Sequence, residues 1–168
     1  ERAYDELVWG APARAAGVID APLGRSAADR TRQAVVSPER DDARHAVTRF
    51  AVRERFGVGP DATAAAALVE CRLETGRTHQ IRVHMAHIGH PLVGDRDYGR
   101  AFFTKANALP APLGELVRAF PRQALHARLL AFRHPSTGAP MRFEAPWPQD
   151  FAELVGAFRR WDAAGNAE

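Results

Sequence analysis

Hydrophobic and polar residues alternate along two neighbouring segments of the chain, 46–56 and 65–74, which are separated by a glycine-containing turn. Such alternation is typical of strands, because successive side chains point to opposite faces of a sheet. The first segment places on one face Thr48, Phe50, Val52 and Phe56. Arginines on its other face would pair with glutamates on the outer face of the second segment. We therefore predict an antiparallel hairpin in a sheet with one solvent-exposed face.

Three other parts of the chain also show extended or irregular patterns. Residues 4–9 alternate like a strand and end at a Gly-Ala-Pro turn. Residues 125–146 contain two alternating stretches joined at 135–138, which predicts a second hairpin. Residues 10–45 are rich in Gly, Pro, Asp and Arg, so we expect loops with short strands there.

Helical periodicity appears in two segments. Ile81, Met85 and Ile88 recur at the spacing of one helical face, which predicts a helix over 79–88 with Thr78 as its N-cap. A second helix is predicted over 148–161, and its apolar stripe comprises Phe151, Leu154, Val155, Phe158 and Trp161. Since strands outnumber helices and hairpins dominate, we predict an α+β domain with a few helices on a mixed, mainly antiparallel sheet.

The length and composition fit a soluble globular domain. A chain of 168 residues with 46% hydrophobic and 26% charged residues can bury one core, so we expect residues 1–168 to form a single domain. The longest apolar run, 64–69, is too short to cross a bilayer. Cys71 is the only cysteine, which favours a reducing compartment and a cytoplasmic protein. The first residue is not methionine, so we expect the later part of a longer protein.

The charge is consistent with a phosphate-bearing partner. The formal net charge is +3 and the isoelectric point is about 9.7, with arginine supplying nearly all the positive charge. Guanidinium groups bind phosphates through two parallel hydrogen bonds, so this composition favours a nucleic acid. A genome rich in G and C would give the same excess of arginine and alanine, and charge alone does not decide between the two explanations.

The segment LETGRTHQIRVHMAHIGHPLVGDRDYG, residues 73–99, concentrates arginines, histidines and carboxylates. His84 and His87 could share a helical face, but the HExxH arrangement of zinc hydrolases is missing and Cys71 has no cysteine partner nearby. The turn at 75–78 offers backbone N–H groups and a guanidinium, which fits a bound phosphate of RNA or DNA. A zinc hydrolase is therefore the less favoured interpretation.

Arg82 is the candidate for reaction chemistry in this segment. It follows Ile81 at the margin of the apolar stripe, from where a side chain can reach a cleft between helix and sheet. Arginine stays protonated, so its use near a reaction is to hold a carboxylate ionised or to bind an anion. The alternative is an ordinary solvated charge on a helix.

The same 27-residue segment closely resembles the signature of the RluA-type pseudouridine synthases, which isomerise uridine to pseudouridine in ribosomal and transfer RNA. PLGR at 22–25, HAVTRF at 45–50 and the segment 122–151 resemble other parts of this family, so nearly the whole chain is covered. The resemblance implies a mainly antiparallel sheet with a central cleft, an RNA substrate, and neither a metal nor an organic cofactor. It also implies that a uridine is extruded, that an aspartate detaches its base, and that the base rejoins through C5.

The resemblance also assigns roles to individual residues. Arg82 matches the arginine that pairs with the catalytic aspartate, and Tyr4 matches the tyrosine that packs against the target base and helps to remove the C5 proton. Arg77, His79 and Gln80 are expected to line the approach to the cleft or to bind RNA phosphates, although Gln80 would alternatively fix a loop. In the GDRDYG turn, Asp95 is expected to be structural rather than catalytic.

One family motif has no counterpart in the chain. The nucleophilic aspartate lies in a motif resembling HRLDxxTSG, upstream of the tyrosine strand, and nothing in these 168 residues matches it. We therefore expect the later portion of a synthase catalytic domain, inactive by itself, in which Arg82 is solvated or has taken a substitute acid or anion. A rival interpretation from another class is an RNA-binding module without catalysis.

Overall fold

The structure, a computed structural model, describes residues 1–165. Its strands are β1 (Arg2–Trp9), β2 (Ala16–Asp20), β3 (Leu23–Arg25), β4 (Gln33–Val35), β5 (Val47–Phe56), β6 (Ala66–Leu73), β7 (Leu125–Arg133) and β8 (Pro140–Glu144). Its α-helices are α1 (Gln80–His87), α2 (Leu113–Ala119) and α3 (Gln149–Gly165), and a 3-10 helix spans Arg100–Ala108. None of the helices in this part of the chain is long and apolar enough to span a membrane.

Six strands form the main sheet in the order β2-β5-β6-β1-β7-β8, and β3 and β4 form a separate pair. Every strand pairing found among residues 1–165 is antiparallel. Strand β1 lies near the middle, where Tyr4 is opposite Cys71 of β6 and Ala127 of β7. The predicted α+β class with a mainly antiparallel sheet is confirmed, and so are the hairpin of β7 and β8 and the C-terminal helix.

Helices cover both faces of the sheet. On one face, α1 packs in an apolar cluster with β1, to which Val8 and Met85 contribute. On the other, α2 and α3 pack against the cluster that contains Trp9 and Phe158. Neighbouring residues of β1 therefore enter opposite cores. The prediction of one solvent-exposed face is wrong where β1 carries Trp9, because α3 covers that face of the sheet.

A β-bulge changes which residues of β5 share a face. The pairing with β6 shifts at Arg53, so that Val52 lies opposite Val69 and Glu54 lies opposite Leu68. The extra residue reverses the alternation. Phe50 consequently packs with the α1 cluster, whereas Phe56 lies on the other side, with its ring centroid 5.6 Å from that of Phe158. The prediction that Phe50 and Phe56 share one face is wrong for this reason.

Ion pairs link β5 to β6 and to the residue that follows β6. Arg53 lies 2.8 Å from a carboxylate oxygen of Glu70, and Arg49 pairs with Glu74. Arg128 of β7 reaches Glu70 as well, at 2.6 Å. The predicted pairing of opposite charges across the hairpin is thus present, and it extends to a third strand.

Helix α1 begins one residue later than predicted and without the predicted cap. Its N-terminal boundary is His79, whose φ of 56° is left-handed, and no side chain caps the helix there. The carboxamide oxygen of Gln80 instead accepts hydrogen bonds from the Arg77 amide at 2.9 Å and the Thr75 hydroxyl at 2.8 Å. The prediction that Thr78 is the N-cap is therefore wrong, because the Gln80 side chain organises the preceding turn.

Candidate active site

A cleft of about 260 Å³ lies where the start of α1 faces β1 and the beginning of β7. All five residues that the sequence singled out line it: Tyr4, Arg77, His79, Gln80 and Arg82. They come from two segments more than 70 positions apart along the chain, so only the folded sheet brings them together. Leu73 and Leu125 contribute apolar surface to the same cleft.

Arg82 is held by two carboxylates. Only 8% of the residue is exposed. Its Nε donates to Asp95 Oδ2 at 2.7 Å and its Nη2 donates to Asp95 Oδ1 at 2.8 Å, a bidentate pair. Nη2 also donates to Asp97 Oδ2 at 2.7 Å. Arg82 is therefore not a solvated helix charge, because two carboxylates bind its guanidinium.

Asp95 fixes both the guanidinium and the turn that follows α1. Its side chain has no solvent exposure, and its Oδ1 accepts the backbone N–H groups of Asp97 and Tyr98 at 3.0 Å each. Burial alone would raise the pKa of Asp95, but the hydrogen bonds from Arg82 and from these amides outweigh it and lower the pKa. Asp95 is thus an ionised, structural carboxylate, which agrees with the role expected from the sequence.

One edge of the Arg82 guanidinium is still available. The hydrogen bonds of Arg82 use Nε and Nη2, and Nη1 makes none within residues 1–165. Nη1 is also not among the buried side-chain atoms that lack a partner, so solvent reaches it. The ring of Tyr98 lies against the guanidinium carbon, 4.8 Å from ring centroid to Cζ. An incoming carboxylate or phosphate can therefore approach Arg82 at Nη1 while Asp95 and Tyr98 hold the group in place.

Tyr4 enters the cleft from the centre of the sheet. It is half-buried and belongs to the face of β1 that packs against the α1 cluster. The pairing of β1 with β7 shifts between Ala3 and Tyr4. Such bulges re-aim side chains and are frequent beside active sites. The rigid strand thus fixes the direction of the tyrosine side chain toward the cleft.

Arg77 and His79 are exposed at the mouth of the cleft. Arg77 Nε donates to the His45 carbonyl at 3.0 Å. The Tyr98 hydroxyl accepts the Gln33 amide at 3.1 Å and lies 2.9 Å from His79 Nδ1. Burial, followed by the charge of Arg82, lowers the pKa of His79, so its ring is neutral at pH 7. The contact with Tyr98 occupies Nδ1 and leaves Nε2 without a hydrogen-bond partner among residues 1–165.

Comparison with known proteins supplies the family. Residues 2–87 match the family model described as RNA pseudouridylate synthase. This chain belongs to the RNA pseudouridylate synthase family. It is 48% identical over 167 residues to ribosomal large subunit pseudouridine synthase D of Xanthomonas campestris, covering 99% of the chain and 46% of that protein. It is 45% identical over 159 residues to the protein of the same name in Pseudomonas aeruginosa, covering 95% of the chain and 46% of that protein.

Solved structures show the same fold. The chain superimposes on human RNA pseudouridylate synthase domain containing 1 with a TM-score of 0.65 and 24% identity, covering 94% of the chain and 65% of that structure. For human RNA pseudouridylate synthase domain containing 4 the TM-score is 0.63. The resemblance drawn from the sequence is confirmed at the level of family and fold. The chain spans about half the length of the curated pseudouridine synthases that it matches.

Gln80 has a structural role within this pseudouridylate synthase fold. It is 2% exposed, and its carboxamide nitrogen donates to the Val47 carbonyl and the Thr48 hydroxyl, each at 3.0 Å. Its oxygen accepts the two hydrogen bonds from the turn before α1. All four hydrogen-bonding positions of the carboxamide are thus used within the protein. The geometry favours the role of fixing the loop over that of binding RNA, because the carboxamide has no hydrogen-bonding position left for a phosphate.

The histidines do not converge on a metal site. His84 is fully buried, with Nε2 2.9 Å from the Ala21 carbonyl and Nδ1 2.9 Å from the Thr48 hydroxyl. A carbonyl only accepts, so Nε2 carries the proton and the Thr48 hydroxyl donates to Nδ1. Within residues 1–165, no group of three or more His, Cys, Asp or Glu side chains could hold a metal ion. His84 instead joins α1 to β5 and to the segment after β2.

Sequence reasoning missed the residues that hold Arg82 in this family member. Asp97 and Tyr98 touch the guanidinium directly, but they lie 15 and 16 positions further along the chain. The only signal in the sequence was the polar GDRDYG turn, which does not state which side chain it faces. The salt bridge joins the first turn of α1 to the turn that follows the helix. Predicting it requires the path of the chain at 88–94, which helical periodicity does not provide.

Proposed function

We propose that this chain is the later part of the catalytic domain of an RNA pseudouridine synthase that isomerises uridine in large-subunit ribosomal RNA. Family membership supports the reaction, and the names of the relatives from Xanthomonas and Pseudomonas support the substrate. The observation that carries the proposal is the buried guanidinium of Arg82, held in a cleft beside Tyr4 with one edge available. A cytoplasmic location, expected from the lone Cys71, belongs to the same proposal.

The nucleophilic aspartate comes, in this proposal, from a segment outside the 168 residues. Support comes from the missing HRLD-type motif and from the length of the relatives, of which the chain spans about half. Asp95 is enclosed and bound by four donors, so it has no freedom to attack a nucleoside. Asp97 makes one hydrogen bond to Arg82, and 45% of its side chain is exposed. A nucleophile that bound Nη1 and Nη2 together would therefore displace Asp97 and leave Asp95 in place.

Each cleft residue then has a defined task. Arg82 lowers the pKa of the incoming aspartate and keeps it ionised for attack. Tyr4 packs against the extruded base, and its hydroxyl assists removal of the C5 proton when the base has turned. Base extrusion costs a few kcal/mol, which contacts with the RNA backbone must offset. Arg77, exposed at the cleft mouth with a fixed Nε, and the unpartnered Nε2 of His79 are suited to such contacts.

Tritium release from RNA labelled at uridine C5 tests the proposal. A longer protein that includes the HRLD-type segment should release tritium from large-subunit ribosomal RNA, whereas residues 1–168 alone should release none. In the longer protein, Arg82→Ala should lower turnover at least 100-fold while changing RNA affinity only a few-fold. Arg160→Ala, on the exposed side of α3, is the matched control and should leave both unchanged.

The same variants distinguish an enzyme from an RNA-binding module without catalysis. In an RNA-binding module without catalysis, Arg82→Ala would weaken binding and reduce its salt dependence together, because the guanidinium would serve only a phosphate. Full turnover by residues 1–168 alone would overturn the assignment of the nucleophile to another segment. Elemental analysis showing stoichiometric zinc in the active protein would favour the hydrolase interpretation instead.

A further inference from the structure

A second cavity lies away from the cleft, on the face of the sheet that α2 and α3 cover. Its volume is about 560 Å³, within the range of roughly 300–1,000 Å³ that is typical of ligand pockets. Trp9 of β1, the 3-10 helix and the end of α2 form its walls. Trp9 and Tyr4 belong to opposite faces of β1, so the sheet separates this cavity from the cleft.

Three arginines surround the cavity, and none is neutralised within residues 1–165. The side chains of Arg96 and Arg100 make no hydrogen bond or ion pair there, and the guanidinium of Arg118 donates only to the neutral Ala106 carbonyl and Asn107 side-chain oxygen, at 3.3 and 3.4 Å. No aspartate or glutamate lines the cavity. In contrast, Arg82 is paired with carboxylates. A cluster of unpaired guanidinium groups beside low-dielectric walls concentrates positive potential, which favours a phosphate.

Aromatic side chains supply the remaining walls. Phe103 is 40% exposed at the rim, and Phe120 lies deeper. Trp9 is 2% exposed, and its indole N–H has no acceptor among residues 1–165. An exposed aromatic face beside several arginines is the combination by which proteins bind single-stranded nucleic acid, one base stacking on the ring and the phosphate lying on the cations.

The chain that borders this cavity also holds Arg82. Leu92 packs in the cluster on the α1 side and Val93 in the cluster on the α3 side, so the chain crosses between the faces there. Gly94 and Arg96 line the cavity, and Asp95 between them binds Arg82 in the cleft. The turn at 94–96 therefore borders the cavity and also holds the arginine of the cleft.

We propose that this cavity is a second RNA subsite, which takes one unstacked nucleotide flanking the target uridine. Its phosphate lies against Arg96, Arg100 and Arg118, and its base stacks on Phe103. This inference rests on the proposed function only in taking RNA as the substrate. The chemistry that the cavity recognises is a planar base joined to a phosphate, which a free nucleotide also offers.

RNA binding by the 168-residue protein tests the subsite. Fluorescence anisotropy would measure the affinity for a labelled single-stranded RNA of about 12 nucleotides at several salt concentrations. Phe103→Ala should weaken binding roughly 5- to 100-fold, the usual effect of losing one base-stacking contact. Arg96→Ala with Arg100→Ala should weaken it and reduce the slope of log K against log salt by about 1.4, since single strands lose about 0.7 per phosphate contact.

Controls and a second assay separate the possible outcomes. Phe143→Ala and Arg160→Ala remove an exposed aromatic residue and an exposed arginine elsewhere and should leave affinity unchanged. Wild-type affinity in the cavity variants would overturn the subsite. Uridine monophosphate that binds as tightly as the RNA, with the same dependence on Phe103, would assign the cavity to a free nucleotide instead. In the tritium assay with the longer protein, Arg100→Ala should raise KM and spare kcat, whereas failure of the proposed function would abolish turnover in the unmodified protein.

Discussion

Arg82 and Asp95 form a bidentate ion pair that ties α1 to the turn beyond it, with 2.7 and 2.8 Å between their nitrogen and oxygen atoms. Asp97 contacts the same guanidinium but is half-exposed. The two carboxylates therefore differ in what they contribute. Asp95 stabilises the fold and aims Arg82, whereas Asp97 is placed where another anion can replace it.

Asp95→Asn should destabilise the protein by about 2–4 kcal/mol. Asparagine keeps an oxygen for the Asp97 and Tyr98 amides but removes the charge opposite Arg82, and breaking a buried pair from one side usually costs several kcal/mol. Asp97→Asn is the matched control and should cost less than about 1 kcal/mol, as exposed ion pairs do. Urea denaturation of both variants gives the comparison. Equal decreases in the free energy of unfolding would show that the pair with Asp95 stabilises the fold no more than the pair with Asp97.

Tyr4→Phe should separate packing from proton transfer in the longer, nucleophile-containing protein. Phenylalanine keeps the ring against the base, so KM should change little. Loss of the hydroxyl should lower kcat roughly 100-fold or more if that hydroxyl assists removal of the C5 proton. Tyr4→Ala should raise KM as well. The tritium-release assay measures both parameters, and unchanged kcat in Tyr4→Phe would limit Tyr4 to packing.

The sequence predicted the local elements of the cleft better than the contacts between them. Tyr4 was placed on a strand and Arg82 on a short helix, because alternation and helical spacing depend on neighbouring residues only. That these two side chains share a cleft came from the family resemblance. Which acids bind Arg82 was not predicted, since the contact with Asp95 depends on a turn 13 residues away. For Gln80 the sequence left both RNA binding and fixing a loop open, because the burial that decides between them is a property of the folded loop.

The β-bulge in β5 and two short helices were not predicted from the periodicity of the sequence. The bulge at Arg53 reversed the alternation of β5, and nothing in the apolar pattern of that strand marks the extra residue. The 3-10 helix at Arg100–Ala108 and helix α2 were missed altogether. Both are short, and prolines at 110 and 112 separate them, so neither offers a sustained helical period. Packing against the apolar cluster that contains Trp9 stabilises both helices.

Gly57→Ala should destabilise the protein by about 2–4 kcal/mol. Gly57 follows β5 with a φ of +59°, and an added Cβ would lie 2.2 Å from the ring of Trp161 on α3. The substitution therefore adds overpacking to backbone strain. Gly138→Ala is the matched control, since its φ is +70° but no atom lies within 4 Å of the added Cβ. It should cost only about 1–2 kcal/mol, the backbone part alone. Similar midpoints in urea for the two variants would contradict a steric clash with α3.

Glu6 is a buried carboxyl group beside the Cys71 thiol. It lies on β1 with no exposed surface, and its oxygens have no nitrogen or oxygen hydrogen-bond partner among residues 1–165. Burial raises the pKa of Glu6 well above its usual range; the hydrogen bond with Cys71 offsets part of this rise, and the charges of Asp5 and Glu70 add to it. The native state consequently holds a proton that the unfolded chain loses above a pH of about 4.3. Stability should fall as the pH rises from there toward the native pKa, because the native state binds more protons.

Glu6→Gln should remove this pH dependence, because glutamine has the shape of the protonated acid and no charge to lose. Near pH 4 the variant and the unmodified protein should be about equally stable. At pH 8 the variant should be the more stable of the two, because Glu6 has lost its proton in the unfolded chain whereas burial favours the protonated form in the native state. Glu39→Gln, at an exposed position, is the control and should not produce a difference that grows with pH. Chemical denaturation at several pH values measures the effect, and a Glu6→Gln variant less stable than the unmodified protein at pH 8 would show that the carboxylate is ionised and stabilised in the fold.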